Sequence, residues 1–128
     1  MTTLSDVMRT EFITVAPEDT LGEVAEKMTA LNVGSVVVKD FGTLIGILTE
    51  RDLLKAMAAR VHSSEARVRQ FMTENPITAS RDMDCEAAER LMLDKGFRHL
   101  PIMEGDDVVG VVSLRRVVAA TKAAVASS

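Results

Sequence analysis

Residues able to hold a ligand concentrate at Gly46-Ile47-Leu48-Thr49-Glu50-Arg51-Asp52, where an apolar run ends in a hydroxyl and, three residues later, a carboxylate. The helical pattern Leu53-Leu54-Lys55-Ala56-Met57 follows at once. A strand turning into a helix there aims backbone N–H groups and the positive end of the helix dipole at one point, which suits a phosphate or a ribose. Thr49 and Asp52 also have nearly the spacing of a capping box, with Asp in place of the usual Glu or Gln, so a purely structural role is open beside the binding one. One residue can do both.

The stretch occurs twice. Adding 64 moves Gly46 onto Gly110, Thr49 onto Ser113, Arg51 onto Arg115 and Asp52 onto Arg116. The register extends without a gap through Met8/Met72, Ile13/Ile77, Met28/Met92 and Val38/Ile102. Agreement over about fifty positions marks a duplicated unit. At 128 residues the chain is one ordinary domain or two very small ones. A unit of about 60 residues is marginal alone, so the repeats are expected to share a core.

Composition excludes several functions. Aromatics are 3% with no Trp or Tyr, and the formal net charge is −4, which leaves few rings to stack on bases and no general basic surface for nucleic acid or anionic lipid. With a single cysteine, Cys85, no intrachain disulfide can form, and with two histidines no metal-ligand cluster of usual spacing appears. Cys85 stands at the repeat position of Leu21 and reads as a small buried hydrophobe. The first residues lack a basic and apolar leader, and no apolar run reaches a membrane span, so a cytoplasmic location is expected.

The elements that must position the corner follow from local signals. Ser5 to Met8 forms a leading turn, and Ile13-Thr14-Val15 a brief strand ended by Pro17. Thr20-Leu21-Gly22-Glu23 is a capping box that opens a helix through Leu31, with Asn32 as a left-handed stop. Ser35 to Val38 and Leu44 to Leu48 are strands joined by the turn Asp40-Phe41-Gly42. Residues 58–70 read as a helical connector with a basic face, because they lack Gly and Pro. The second copy repeats the order, with Asp84 as helix cap, Gly96 as stop and an Ala-rich helical tail over 121–128 that frays at Ser127-Ser128. The class is α/β, two tandem strand-helix-strand-strand-helix repeats over 7–57 and 71–120.

With motif, order and duplication in place, the chain resembles the cystathionine-β-synthase (CBS) domain family. Gly46 to Asp52 is similar to its first signature, and Gly96-Phe97-Arg98-His99-Leu100-Pro101 to its second. The resemblance implies a Bateman module, two CBS repeats packed through their sheets about a pseudo-twofold axis, with two clefts for adenosyl ligands. It implies that Asp52 accepts hydrogen bonds from ribose hydroxyls and that Thr49 contacts phosphate. Thr14, Gly34, Ser35, Val36, Ile47 and Arg51 would line the same cleft; small residues at Gly34 and Ser35 let backbone approach a base. Arg98 and His99 stand where the family often meets phosphates.

The second copy departs from the pattern. Ser113 keeps the hydroxyl, but Arg116 replaces the carboxylate and cannot accept from ribose. Arg116 either disables that cleft or reaches a phosphate bound by the first repeat, and a solvated or ion-paired Arg is the structural alternative. One asymmetric site is expected.

The resulting expectation is a non-catalytic regulatory module that needs no cofactor. It would take AMP, ADP, ATP, S-adenosylmethionine or NAD as effector, form a homodimer of modules, and act on a separate partner protein. Two rivals stand beside it: a ligand-free interaction module, and nucleic-acid binding through Arg60, Arg67, Arg69 and Arg115-Arg116.

Overall fold

The computed structural model describes residues 1–127; the expected fraying of Ser127-Ser128 lies in part outside them. In chain order the elements are α1 (Leu4–Val7), β1 (Thr14–Val15), α2 (Leu21–Leu31), β2 (Ser35–Asp40), β3 (Thr43–Thr49), α3 (Glu50–Ala58), α4 (Val68–Phe71), β4 (Thr73–Glu74), β5 (Ala79–Ser80), α5 (Cys85–Lys95), β6 (His99–Glu104), β7 (Asp107–Ser113) and α6 (Leu114–Ser127). Among the described residues no helix is long and apolar enough to cross a membrane.

The chain forms two compact units that are offset from the sequence repeats. One is Phe12–Pro76; the other joins Met1–Glu11 to the chain from Ile77 onward. Each repeat therefore lends its leading segment to the unit built on the other repeat. In the first unit the strands run in the order β1-β2-β3-β4, with β1 parallel to β2 and the remaining pairs antiparallel. β4 comes from the segment that leads the second repeat and closes the edge of β3, pairing Thr73 with Ile47. The other unit has the order β5-β6-β7, and the same edge is closed by Arg9, which exchanges backbone hydrogen bonds of 2.9 and 3.0 Å with Val111.

The β2–β3 hairpin turns at Phe41 and Gly42, both with left-handed φ (50° and 80°). Along β2 the residues alternate, so Val36 and Val38 join Leu48 beneath the α2 residues Leu21, Val24 and Met28. Ala56 of α3 and Val68 of α4 complete this core. Its counterpart assembles Leu100, Ile102 and Val112 with Cys85, Ala88 and Met92 of α5, Val117 of α6 and Leu4 of α1. Cys85 is buried, and burial pushes its thiol above the ordinary value, which makes it inert packing.

Helix ends follow the sequence signals with one qualification. Thr20 caps α2 through Glu23 N–H, and the Glu23 carboxylate accepts from the Thr20 hydroxyl at 2.7 Å and N–H at 3.3 Å. Asn32 and Gly96 end α2 and α5 in the left-handed region. Asp84 takes the N-cap position of α5, but its side chain makes no capping hydrogen bond; the Cys85 N–H donates to the Thr2 carbonyl.

The expected helical connector over 58–70 is a correction. α3 ends at Ala58, α4 begins at Val68, and turns lie between. Arg60 is left-handed, and the His62 carbonyl accepts from Glu65 and Ala66. The Ser63 and Ala66 carbonyls accept from Gly22 and Leu21, the N–H groups that the start of α2 leaves without intrahelical partners. A continuous helix would use those carbonyls internally.

Two predictions test this packing. Leu4 is fully buried in the second unit's core, so Leu4→Ala lowers unfolding free energy by about 2–4 kcal/mol in urea titration; a loosely attached N-terminal segment would give no change. For Glu23, hydrogen bonding chiefly from the Thr20 hydroxyl holds the carboxyl below its usual range. Its stabilising contribution is present at neutral pH and is lost as pH falls through the carboxylate range, so the acid-side fall of the urea midpoint is shallower in Thr20→Ala.

Candidate ligand site at the strand-to-helix corners

The first corner is set by strand pairing. Ser35 opposes Thr49 in the β2–β3 ladder, which brings Gly34 and Ser35 beside the start of α3. The Glu50 N–H donates to the Gly34 carbonyl at 3.0 Å. Thr49 is the N-cap residue of α3, and its capping box with Asp52 is complete. Asp52 Oδ2 accepts from the Thr49 N–H at 2.8 Å and hydroxyl at 3.1 Å, while Asp52 N–H donates to Thr49 Oγ1 at 3.4 Å.

First-turn N–H groups have no intrahelical acceptors. Those of Glu50 and Asp52 are taken by the contacts above, and that of Arg51 is the one they leave over. Asp52 is 9% exposed and Ser35 8%. Every described hydrogen bond to the Asp52 carboxylate falls on Oδ2. Oδ1 retains contact with solvent, since no fully buried side-chain oxygen or nitrogen lacks a partner. The corner thus presents a carboxylate oxygen, a hydroxyl and an N–H together.

All eight first-repeat candidates fall within the first unit, Phe12–Pro76. Thr14 on β1 is exposed and registers with Val37 of β2. Ile47, nearly buried, also opposes Val37 in the ladder. Val36 is enclosed in the core, so only its backbone can meet a ligand. Arg51 projects from the surface of α3.

The second corner repeats the backbone and changes the chemistry. Leu114 N–H donates to the Arg98 carbonyl at 2.8 Å, the counterpart of the Glu50–Gly34 bond, and His99 opposes Ser113. Arg116 N–H donates to Ser113 Oγ at 3.3 Å. No carboxylate completes the box. Arg98 and Arg116 are exposed, so this corner is cationic where the first is anionic.

Sequence reasoning placed the corner residues but missed the bond from Glu50 to the Gly34 carbonyl, which fixes how close β2 comes to α3. The signal for it was the matched spacing from Gly34 to Glu50 and from Arg98 to Leu114. Among the described residues no group of three or more His, Cys, Asp or Glu side chains is arranged to hold a metal ion.

Comparison with known proteins bears on the family and the fold. The CBS domain family model matches residues 4–59 and again 68–122. The CBS domain-containing protein YhcV of Bacillus subtilis is 33% identical over 114 residues, covering 89% of this chain and 81% of the relative. A CBS-domain containing protein from Agrobacterium tumefaciens, known from its crystal structure, is 33% identical with a TM-score of 0.86, covering 94% of this chain and 99% of that one. A CBS domain pair crystallised in complex with 5′-methylthioadenosine and S-adenosyl-L-methionine is 25% identical with a TM-score of 0.84, covering 95% and 97% of the two chains. The doubled strand-to-helix corner, the doubled fold and the doubled family match lead to one conclusion: the chain belongs to the CBS domain family and carries a tandem pair of its repeats.

Proposed function

We propose that this chain is a non-catalytic regulatory module that binds an adenosyl ligand at the first-repeat corner. The observation that carries the reading is the state of Asp52, nearly buried, with its described hydrogen bonds on Oδ2 and Oδ1 left for a ribose hydroxyl. The Arg51 N–H stands beside it for a phosphate, and Thr49 Oγ1, whose hydrogen is given to Asp52, can accept from a second hydroxyl. The complex of the related domain pair with 5′-methylthioadenosine and S-adenosyl-L-methionine supports the ligand class. AMP, ADP, ATP and NAD share the same ribose chemistry. A ligand of varying phosphate count makes energy sensing one use of the module.

In this reading occupancy biases the arrangement of the repeats and so changes contacts with a separate partner protein. The module works in the cytoplasm as a homodimer. Leu54 and Met57 on the outer side of α3, 67% and 76% exposed, support the pairing. Arg116, in place of the ribose carboxylate, limits the second corner to a phosphate role and favours one ligand per chain.

The rival reading, a ligand-free interaction module, has one specific observation in its favour: the Thr49–Asp52 box is complete as a helix cap. Nucleic-acid binding is weakened, because Arg69 forms an ion pair with Glu18 and Arg67 Nη1 donates to the Glu18 carbonyl at 2.9 Å. Two of its basic residues are thereby engaged within the unit.

Isothermal titration with AMP, ATP, NAD and S-adenosylmethionine separates the readings. The sensor reading expects saturable binding of one of them near one per chain, weakened about tenfold or more by Asp52→Ala. Asp52→Asn, which keeps an acceptor for the cap, controls for the roughly 1 kcal/mol of cap stability at stake. Unchanged affinity in Asp52→Ala, or no binding of any of the four, contradicts it.

A further inference from the structure

The duplication supplies an internal comparison at the opposite ends of the strands. In the second unit Arg81 Nη1 donates to Glu104 Oε2 at 3.2 Å and Nη2 to Ser5 Oγ at 3.3 Å. The guanidinium thus lies across the end of β6, held by the carboxylate there. In the first unit the equivalents of Arg81, Glu104 and Ser5 are Pro17, Asp40 and Arg69. Where the second unit holds Arg81, the first has an open cavity of about 270 Å³ whose lining includes Pro17, Asp40, Ile45, Glu74, Asn75 and its own arginine, Arg69.

The charge of this cavity fits the missing group. Asp40 keeps the carboxylate, and Glu74 adds a second where the other unit has Thr10. Arg69, the one cation of the lining, is paired with Glu18. Pro17 offers a flat apolar wall and no charge.

The next residue, Phe41, bears on the source of the guanidinium. It is fully exposed, and its φ of 50° lies in the left-handed region that disfavours a bulky side chain. Its equivalent in the second repeat is Gly105, with φ 63°, the residue that such a turn favours. The first repeat therefore carries an exposed ring, against local preference, directly after the cavity carboxylate. Exposed aromatics of this kind serve as anchors in protein contacts.

We propose that the cavity beside Asp40 receives the guanidinium of an arginine side chain presented by a partner polypeptide, with Phe41 packing on the apolar residue next to that arginine. The site is separate from the Thr49–Asp52 corner and does not depend on the adenosyl reading. It takes in trans the group that Arg81 supplies in cis to the second unit. A planar guanidinium fits two acceptors better than an ammonium does.

The test is an amide ¹H–¹⁵N titration of the full chain with N-acetyl-arginine amide and with its neutral isostere N-acetyl-citrulline amide. Saturable shifts at Asp40, Ile45, Glu74 and Asn75 are expected, in the range of about 1–10 mM for a single exposed pairing, with the citrulline compound at least about tenfold weaker. Pro17→Arg, which adds a guanidinium at the repeat position of Arg81, abolishes the shifts while amide shifts elsewhere in the unit stay native; this separates occlusion from unfolding. Arg81→Ala opens a second site, reported at Glu104. The peptide source is read with N-acetyl-Arg-Leu amide, expected to bind about fivefold tighter than the single residue, a gain lost in Phe41→Gly. Absence of saturable shifts, or shifts that persist in Pro17→Arg, overturns the site. Equal affinity for the two arginine probes overturns the partner polypeptide as its source.

Discussion

The contact on which the structure depends is the close approach of a glycine in each hairpin to the segment that closes its edge. A Cβ on Gly46 would stand 2.7 Å from Met72 Sδ and 3.0 Å from the Thr73 carbonyl; one on Gly110 would stand 2.6 Å from Met8 Sδ and 3.0 Å from the Arg9 carbonyl. Only glycine lets the methionine cross the strand there without displacement. Met72 leads the second repeat yet closes the first unit, and Met8 leads the first repeat yet closes the second. The glycine that opens the corner signature is thus explained by packing rather than by the ligand. It permits the close approach of the exchanged segment, and the exchange covers strand edges that a 60-residue unit alone would leave open.

From that constraint the corner follows. Closing the outer edge of β3 holds its far end in register with β2, so Thr49 meets Ser35 and α3 starts against the Gly34 carbonyl. The capping box then uses one oxygen of Asp52 and fixes the orientation of the other. Capping and binding are therefore not alternatives at the level of geometry, because the cap is what presents the free oxygen. Duplication makes the contrast sharp: the second corner keeps the backbone bonds and the hydroxyl, but Arg116 removes the ordering carboxylate. Two copies of one scaffold have diverged at these charged positions while the pairs Gly46/Gly110 and Met8/Met72 stayed matched.

Much of this was legible in the sequence. The 64-residue register, the capping box at Thr20 and Glu23, the left-handed stops at Asn32 and Gly96, and both hairpins rest on local chemistry that a short window contains. The segment exchange was not, since the pairing of Thr73 with Ile47 is non-local and two-residue strands carry no periodicity. The connector was misread for a related reason. Residues 59–67 lack helix breakers, but their carbonyls are recruited by the start of α2, a tertiary demand that overrides propensity. The corner residues could be named from the signature, whereas the enclosure of Val36 and the exposure of Arg51 depend on the face each element turns to the core.

In the proposed function the first corner, and not the second, takes a ribose-bearing ligand through Asp52 Oδ1 and the Arg51 N–H. Amide hydrogen exchange, followed with and without saturating AMP or S-adenosylmethionine, tests it most directly. Exchange is expected to slow at Glu50 to Leu53 well beyond the protection gained at Leu114 to Val117, because a ligand there engages the first turn of α3. Equal protection at the two corners, or none at α3 with either compound, would contradict it.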